Sequence, residues 1–76
     1  MKDVRSKLIF YLSMEYKNSG LASFSLPQTQ VDIANIIGVA RPSVSREFKL
    51  MVNDQLILLS GHQSTLLHPE LFSFKS

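Results

Sequence analysis

A chain of 76 residues makes one small domain at most, and at that length only about 60% of the unfolded surface becomes buried, so the core is thin and leaves little room for an enclosed catalytic pocket. With 45% hydrophobic and 18% charged residues the chain reads as folded rather than disordered, and the lack of any cysteine removes disulfides, thiolate metal sites and a Cys nucleophile together. The net charge of +2 permits an anionic partner; no apolar run approaches the ~20 residues that span a bilayer and Met1 to Arg5 opens no signal peptide, so a cytoplasmic protein is expected.

Asp3 to about Tyr16 reads as a helix, because Val4, Leu8, Leu12 and Tyr16 recur four residues apart and form one apolar stripe. Ile9 and Met14 widen the stripe, and Phe10 falls near its opposite side. Such a helix is too apolar for a simple surface position: it lies deep in the core or has a second partner. Gly20 supplies a left-handed stop. Ser23 to Leu26 alternates polar and apolar, as a short strand does, and Pro27 limits it because proline cannot donate a ladder hydrogen bond. Thr29 to Asp32 matches a capping box in which hydroxyl and carboxylate each take a backbone N–H of the other's residue. A helix is predicted from about Gln30 to Ile37, burying Ile33, Ile36 and Ile37, with Gly38 breaking it. A second helix starts near Arg41 or Pro42 and runs to about Asn53.

Leu56 to Leu59 and Thr65 to Leu67 are two apolar runs, and Ser60 to Ser64 between them carries turn chemistry, so a hairpin is predicted. Pro69 stops its second strand, and Leu71, Phe72 and Phe74 are expected to pack back as a short turn. A lone hairpin cannot bury both faces, so it must pack on the helices and take Phe24 to Leu26 as a third strand. The predicted class is α+β, mainly α: a winged helix-turn-helix occupying 1–76 as one domain, with the paired helices over about 29–53 and the wing over about 56–68.

Helix-turn-helix units place one helix across another through a tight turn. A small residue is needed at the crossing, and Ala34 is in place; the turn needs positive φ, which Gly38 can adopt. At about 100° per residue, Val44, Phe48, Met51 and Val52 fall on one side of the second helix. Pro42, Ser43, Arg46, Lys49 and Asn53 fall opposite, with Glu47 at the flank. That outer face carries two cations and no carboxylate. Arg46 can donate two parallel hydrogen bonds to guanine O6 and N7. Pro42 suits a first turn, where its missing N–H costs nothing, and it disfavours helical geometry at Arg41. Arg41 is therefore expected as a flanking residue whose side chain reaches a base or a phosphate.

Thr29 to Glu47, and within it the run Gly38-x-x-Arg41-Pro42-Ser43-x-Ser45-Arg46, resembles the helix-turn-helix of the Crp/Fnr family of bacterial transcription regulators. The likeness covers nearly the whole chain, from Val4 to Leu8 through Gln55 to Ile57 and the hairpin. It implies sequence-specific double-stranded DNA binding with the second helix in the major groove. It also implies a homodimeric parent, whose N-terminal sensor and dimerisation helix precede this domain and are absent here. By position, Arg41, Pro42 and Arg46 fall where the family reads bases. Ser43, Ser45 and Lys49 fall beside phosphates, Thr29 and Gln30 at the phosphate-contacting start of the first motif helix, and His62 and Gln63 at the wing tip. The extra apolar surface including Phe10 fits a face covered by the missing region; a helix buried in its own core accounts for it equally. The sequence departs from the family pattern in three places. Pro42 replaces a base-reading Glu, Ala40 replaces a capping Ser, and Gln55 replaces the Gly or Asn that favours a left-handed helix end.

His62 and His68 have no ligand set at metal spacing, the carboxylates form no evident pair, and neither a Ser–His–Asp arrangement nor a Gly-rich phosphate loop is present. The methionines read as core filler. No metal, cofactor or enzymatic activity is expected, and no membrane partner. The rival reading is a winged helix whose Arg46 face binds a protein rather than DNA.

Overall fold

A computed structural model describes residues 3–26 and 29–72. Asp3 caps the first helix, α1 (Val4–Ser19), by accepting the Ser6 N–H at 2.8 Å. Gly20, at φ 73°, is the left-handed stop its sequence position implies, with its N–H on the Tyr16 carbonyl, and the helix runs to Ser19, three residues past Tyr16. Leu8 and Leu12 are fully buried, and Val4 and Tyr16 pack at the edges of the same stripe. Met14 is 45% exposed and Phe10 54% exposed, so Met14 belongs to the outer side and not to the buried stripe.

The capping box at Thr29 forms as its sequence implies. Thr29 Oγ1 accepts the Asp32 N–H at 3.2 Å, and Asp32 Oδ2 accepts the Thr29 N–H at 3.4 Å. It opens α2 (Gln30–Ile37), which Gly38 closes at φ 75°. Ile33 and Ala34 are buried. Ile36 is 57% exposed, contrary to the prediction: the buried arc of α2 runs from Ile33 through the half-buried Ile37 to Ala34, and Ile36 lies about 100° of helix rotation from its centre.

The third helix, α3 (Arg41–Asn53), begins at Arg41 itself. Arg41 is the first residue of the helix and not a flanking one, because the Ala40 carbonyl accepts both the Ser43 and the Val44 N–H and closes the turn around Arg41 and Pro42. Ala40 offers no side-chain cap. At the far end the Leu56 N–H reaches the Met51 carbonyl and the Gln55 N–H the Val52 carbonyl, the paired bonds that close many helices around a left-handed residue. Gln55 takes that conformation at φ 61°, so the left-handed end forms without glycine.

The hairpin strands are β2 (Ile57–Ser60) and β3 (Gln63–Leu66), joined by Gly61 and His62 alone. The turn is tighter than the predicted Ser60–Ser64 loop. Gly61 at φ 60° supplies the positive φ that lets a two-residue turn follow the strand twist. Ser64, read as a turn residue, instead faces the core opposite Leu59, with Leu66 opposite Ile57. The third strand, β1 (Ser23–Ser25), pairs antiparallel with β3, so β3 is central in the order β1-β3-β2. Pro27 and Phe74 lie outside the described residues. Pro69–Phe72 forms a 3₁₀ turn that lays Phe72, 1% exposed, against α1, while Leu71 stays exposed.

Among the described residues, three helices and a small three-stranded antiparallel sheet enclose one apolar cluster. This is a winged helix-turn-helix. A non-glycine residue in the left-handed region carries steric strain, because its Cβ crowds the following carbonyl. Gln55→Gly should therefore raise stability by about 1 kcal/mol, read as a higher denaturant midpoint at unchanged m. A lower midpoint would show that the Gln55 side chain contributes more than its backbone costs.

Candidate nucleic-acid interface

Val44, Phe48 and Met51 are buried in the cluster, which fixes the rotation of α3. Pro42, Arg46, Lys49 and Asn53 are thereby exposed, and Ser43 and Ser45 are half-buried at the two flanks. Arg41, Arg46 and Lys49 make no side-chain hydrogen bond or ion pair with any described residue. The outer face thus presents two cationic side chains, and the start of the helix a third, whose charges are not neutralised within the domain. Leu50 shares this side of the helix, 45% exposed and one turn from Arg46. The outer face is therefore not wholly polar, although the angular pattern of Pro42, Ser43, Arg46, Lys49 and Asn53 implies that it is.

A cleft of about 340 Å³ separates the start of α2, the start of α3 and the wing turn. Thr29, Gln30, Arg41 and His62 line it, together with the buried Leu26 and Phe48. Four of the predicted site residues, from three elements, therefore surround one concavity. Thr29 spends its acceptor on the cap and keeps its hydroxyl hydrogen for an outside acceptor. His62 projects from the turn, whose position is held by its own carbonyl accepting the Leu26 N–H at 2.7 Å.

Gln63 behaves differently from the rest of the predicted set. It is the first residue of β3, and its side-chain amide bridges to β1: Nε2 donates to Ser23 Oγ at 2.8 Å, and Oε1 accepts from Ser25 Oγ at 3.0 Å. Thr65 Oγ1 extends the network to Ser23. Sequence reasoning missed the partnership because β1 and β3 are about forty residues apart and neither strand announces its register. His68 Nδ1 lies 3.4 Å from Glu70 Oε2 on the exposed surface; no third carboxylate or imidazole joins them among the described residues.

Glu47 on the flank of α3 joins two residues with no predicted role, Arg5 and Asp54, in an ion-pair cluster. Arg5 on α1 donates from Nε to Glu47 Oε2 at 2.6 Å and from Nη2 to Asp54 Oδ2 at 2.8 Å. These two carboxylates raise the Arg5 pKa further above its ordinary value, Glu47 contributing most. The flanking carboxylate of α3 is thus neutralised by a residue forty-two positions away. Only the Glu47 flank position was visible beforehand.

Residues 6–72 match the model of the Crp-like helix-turn-helix domain. A search of curated proteins finds no match to the chain. No helix among the described residues is long and apolar enough to cross a membrane.

Gln63→Ala deletes both bridges to β1 at an exposed site, where each hydrogen bond nets only part of its full strength. A loss of about 1 kcal/mol and faster amide exchange in β1 and the hairpin are expected. Unchanged exchange in β1 would show that the backbone ladder alone holds the wing.

Proposed function

The chain belongs to the Crp-like helix-turn-helix domain family, a family of DNA-binding domains of transcription regulators rather than of enzymes, and on that footing we propose that it binds double-stranded DNA sequence-specifically with α3 in the major groove. The observation that carries the proposal is the free charge along α3: Arg46 and Lys49 project from the outer face of a helix anchored by Val44, Phe48 and Met51, Arg41 stands at its start beside the cleft, and their charges have no partner among the described residues. A major groove about 12 Å wide accepts one helix, and its base edges offer the acceptors a guanidinium can fork onto.

Arg46 reads a base, its two terminal nitrogens matched to guanine O6 and N7. Arg41, in the first turn, reaches a base or the phosphate beside it. Pro42 can make only an apolar contact, such as one to a thymine methyl, so the operator differs from one read by a glutamate at this place. Ser43, Ser45 and Lys49 meet phosphates along the groove. The start of α2 directs Thr29, Gln30 and unpaired first-turn amides at the backbone, where the helix dipole favours an anion. His62 in the wing turn touches the neighbouring backbone, and Gln63 supports it by tying β3 to β1.

The parent regulator is cytoplasmic and homodimeric, built through an N-terminal sensor and dimerisation region, and reads two half-sites about one helical turn apart. The groove bordered by Lys7, Phe10, Met14 and Ile36 is the surface on which that region rests. A single copy binds weakly, because it lacks the effective concentration that a second half-site confers.

Selection of duplexes from a random library by a dimerised form of the domain should enrich one two-fold-related sequence. No enrichment, with negligible binding at low salt, would favour a protein-binding winged helix. On the selected site Arg46→Ala should cost ~1–3 kcal/mol and relax preference at one base position. Equal losses on every duplex would make Arg46 a phosphate contact. Lys49→Ala should weaken all duplexes alike and reduce the salt slope by about one charge; an unchanged slope would remove Lys49 from the backbone contacts.

A further inference from the structure

We infer that Arg5 is a positioning residue for recognition, fixing α3 against α1 and cancelling the two carboxylates that flank the proposed DNA-facing surface; the inference rests on the DNA reading above. Arg5 lies in the first turn of α1, where a cation opposes the positive end of the helix dipole. The capping Asp3 offers Arg5 only a minor charge attraction, and its hydrogen-bonded partners lie on or just after α3. Asp54 follows the last turn of α3, where a carboxylate opposes the negative end of that helix and the turn itself holds no basic residue. Arg5 supplies the missing cation from another element.

The geometry is specific to a guanidinium. Glu47 and Asp54 stand about two helical turns apart on α3, and adjacent nitrogens of one planar group hold both, at 2.6 and 2.8 Å. A two-point attachment opposes rotation of α3 about its axis as well as sliding along it. A lysine ammonium, a point charge on a flexible stem, constrains neither as well. Glu47 directly follows Arg46, so the attachment acts next to the side chain assigned to base reading. The Glu47 side chain is 14% exposed, Arg5 35% and Asp54 47%, so the Glu47 end of the attachment is partly shielded from solvent and the Asp54 end is open to it. Without Arg5, two negative charges would stand uncompensated on the flank of a helix that approaches phosphates.

The test uses the 76-residue chain, a duplex selected by the wild type and a scrambled duplex of the same composition. Arg5→Gln is expected to weaken binding to the selected duplex on the order of tenfold and to shrink the selected-to-scrambled ratio. Arg5→Lys, which keeps the charge and loses the fork, should return scrambled-duplex affinity to wild type while leaving the ratio low. The triple change Arg5→Gln, Glu47→Gln, Asp54→Asn should do the same, since it removes the stranded charges without rebuilding the attachment. A wild-type ratio in Arg5→Gln overturns the positioning role. A uniform loss in Arg5→Gln and in the triple change, with a salt slope lowered by one in both and unchanged in Arg5→Lys, makes Arg5 a phosphate contact and overturns it as well. Amide exchange in the free chain supplies the arm without DNA. Arg5→Gln should speed exchange over residues 44–54 relative to α2, and unchanged rates there overturn the clamp. A wild-type chain that binds neither duplex overturns the DNA reading and Arg5's part in recognition, while exchange still reports on the clamp itself.

Discussion

The burial of one side of α3 governs the rest of the molecule. Val44, Phe48 and Met51 have almost no exposed surface, and they meet Leu8 and Leu12 of α1, Ile33 of α2 and Ile57 of the sheet in one apolar cluster. Burying a side chain of this size contributes roughly 1.5–3 kcal/mol, several times what a surface ion pair does. The apolar contacts therefore set how α3 is rotated, and the polar residues on its other side are exposed as a consequence. The proposed reading face is the complement of the core face.

Polar contacts refine that arrangement at its ends and edges. The Thr29–Asp32 box fixes where α2 begins, and Gly38 aims the chain back so that Ala34 can lie close to α3. The left-handed Gln55 turns the chain into β2, and Gly61 permits the two-residue wing turn. Gln63 then spans β3 and β1 on the outer side of the sheet, stiffening the wing right beside the turn that carries His62. Arg5 joins the first turn of α1 to the flank and end of α3. In each case a short-range feature orients an element, and the apolar cluster fixes how far apart the elements sit.

Local features were legible where the chemistry is local. The capping box, the two helix-ending glycines and the four-residue spacing of Leu8 and Leu12 each act within a few residues, so their sequence pattern carries the whole cause. Partnerships between distant residues were not. Ser64 looked like a turn residue because serine is usually exposed, yet it occupies an inward strand position opposite Phe24 and Leu59. Its hydroxyl is buried with no hydrogen-bond partner among the described residues. Ile36 looked buried because it is apolar, but helix rotation carries it to the surface. The polar part of the α3 outer face was readable in advance from angular position alone, whereas Leu50, which shares it, had no place in that pattern. Arg5 and Gln63 could be placed only once the tertiary pairing was known. In one respect the sequence carries a signal: a cation in the first turn of a helix opposes the dipole there, which points to a partner elsewhere.

The most direct measurement follows amide and side-chain resonances of the isotopically labelled chain as a selected duplex is added at low salt. If α3 enters the groove, the largest changes fall on Arg41 to Leu50, on the first turn of α2 and on the His62 turn, while Phe10, Met14 and Ile36 stay near their free positions. Changes concentrated on the Phe10, Met14 and Ile36 surface, or an unperturbed spectrum at saturating duplex, would contradict the account.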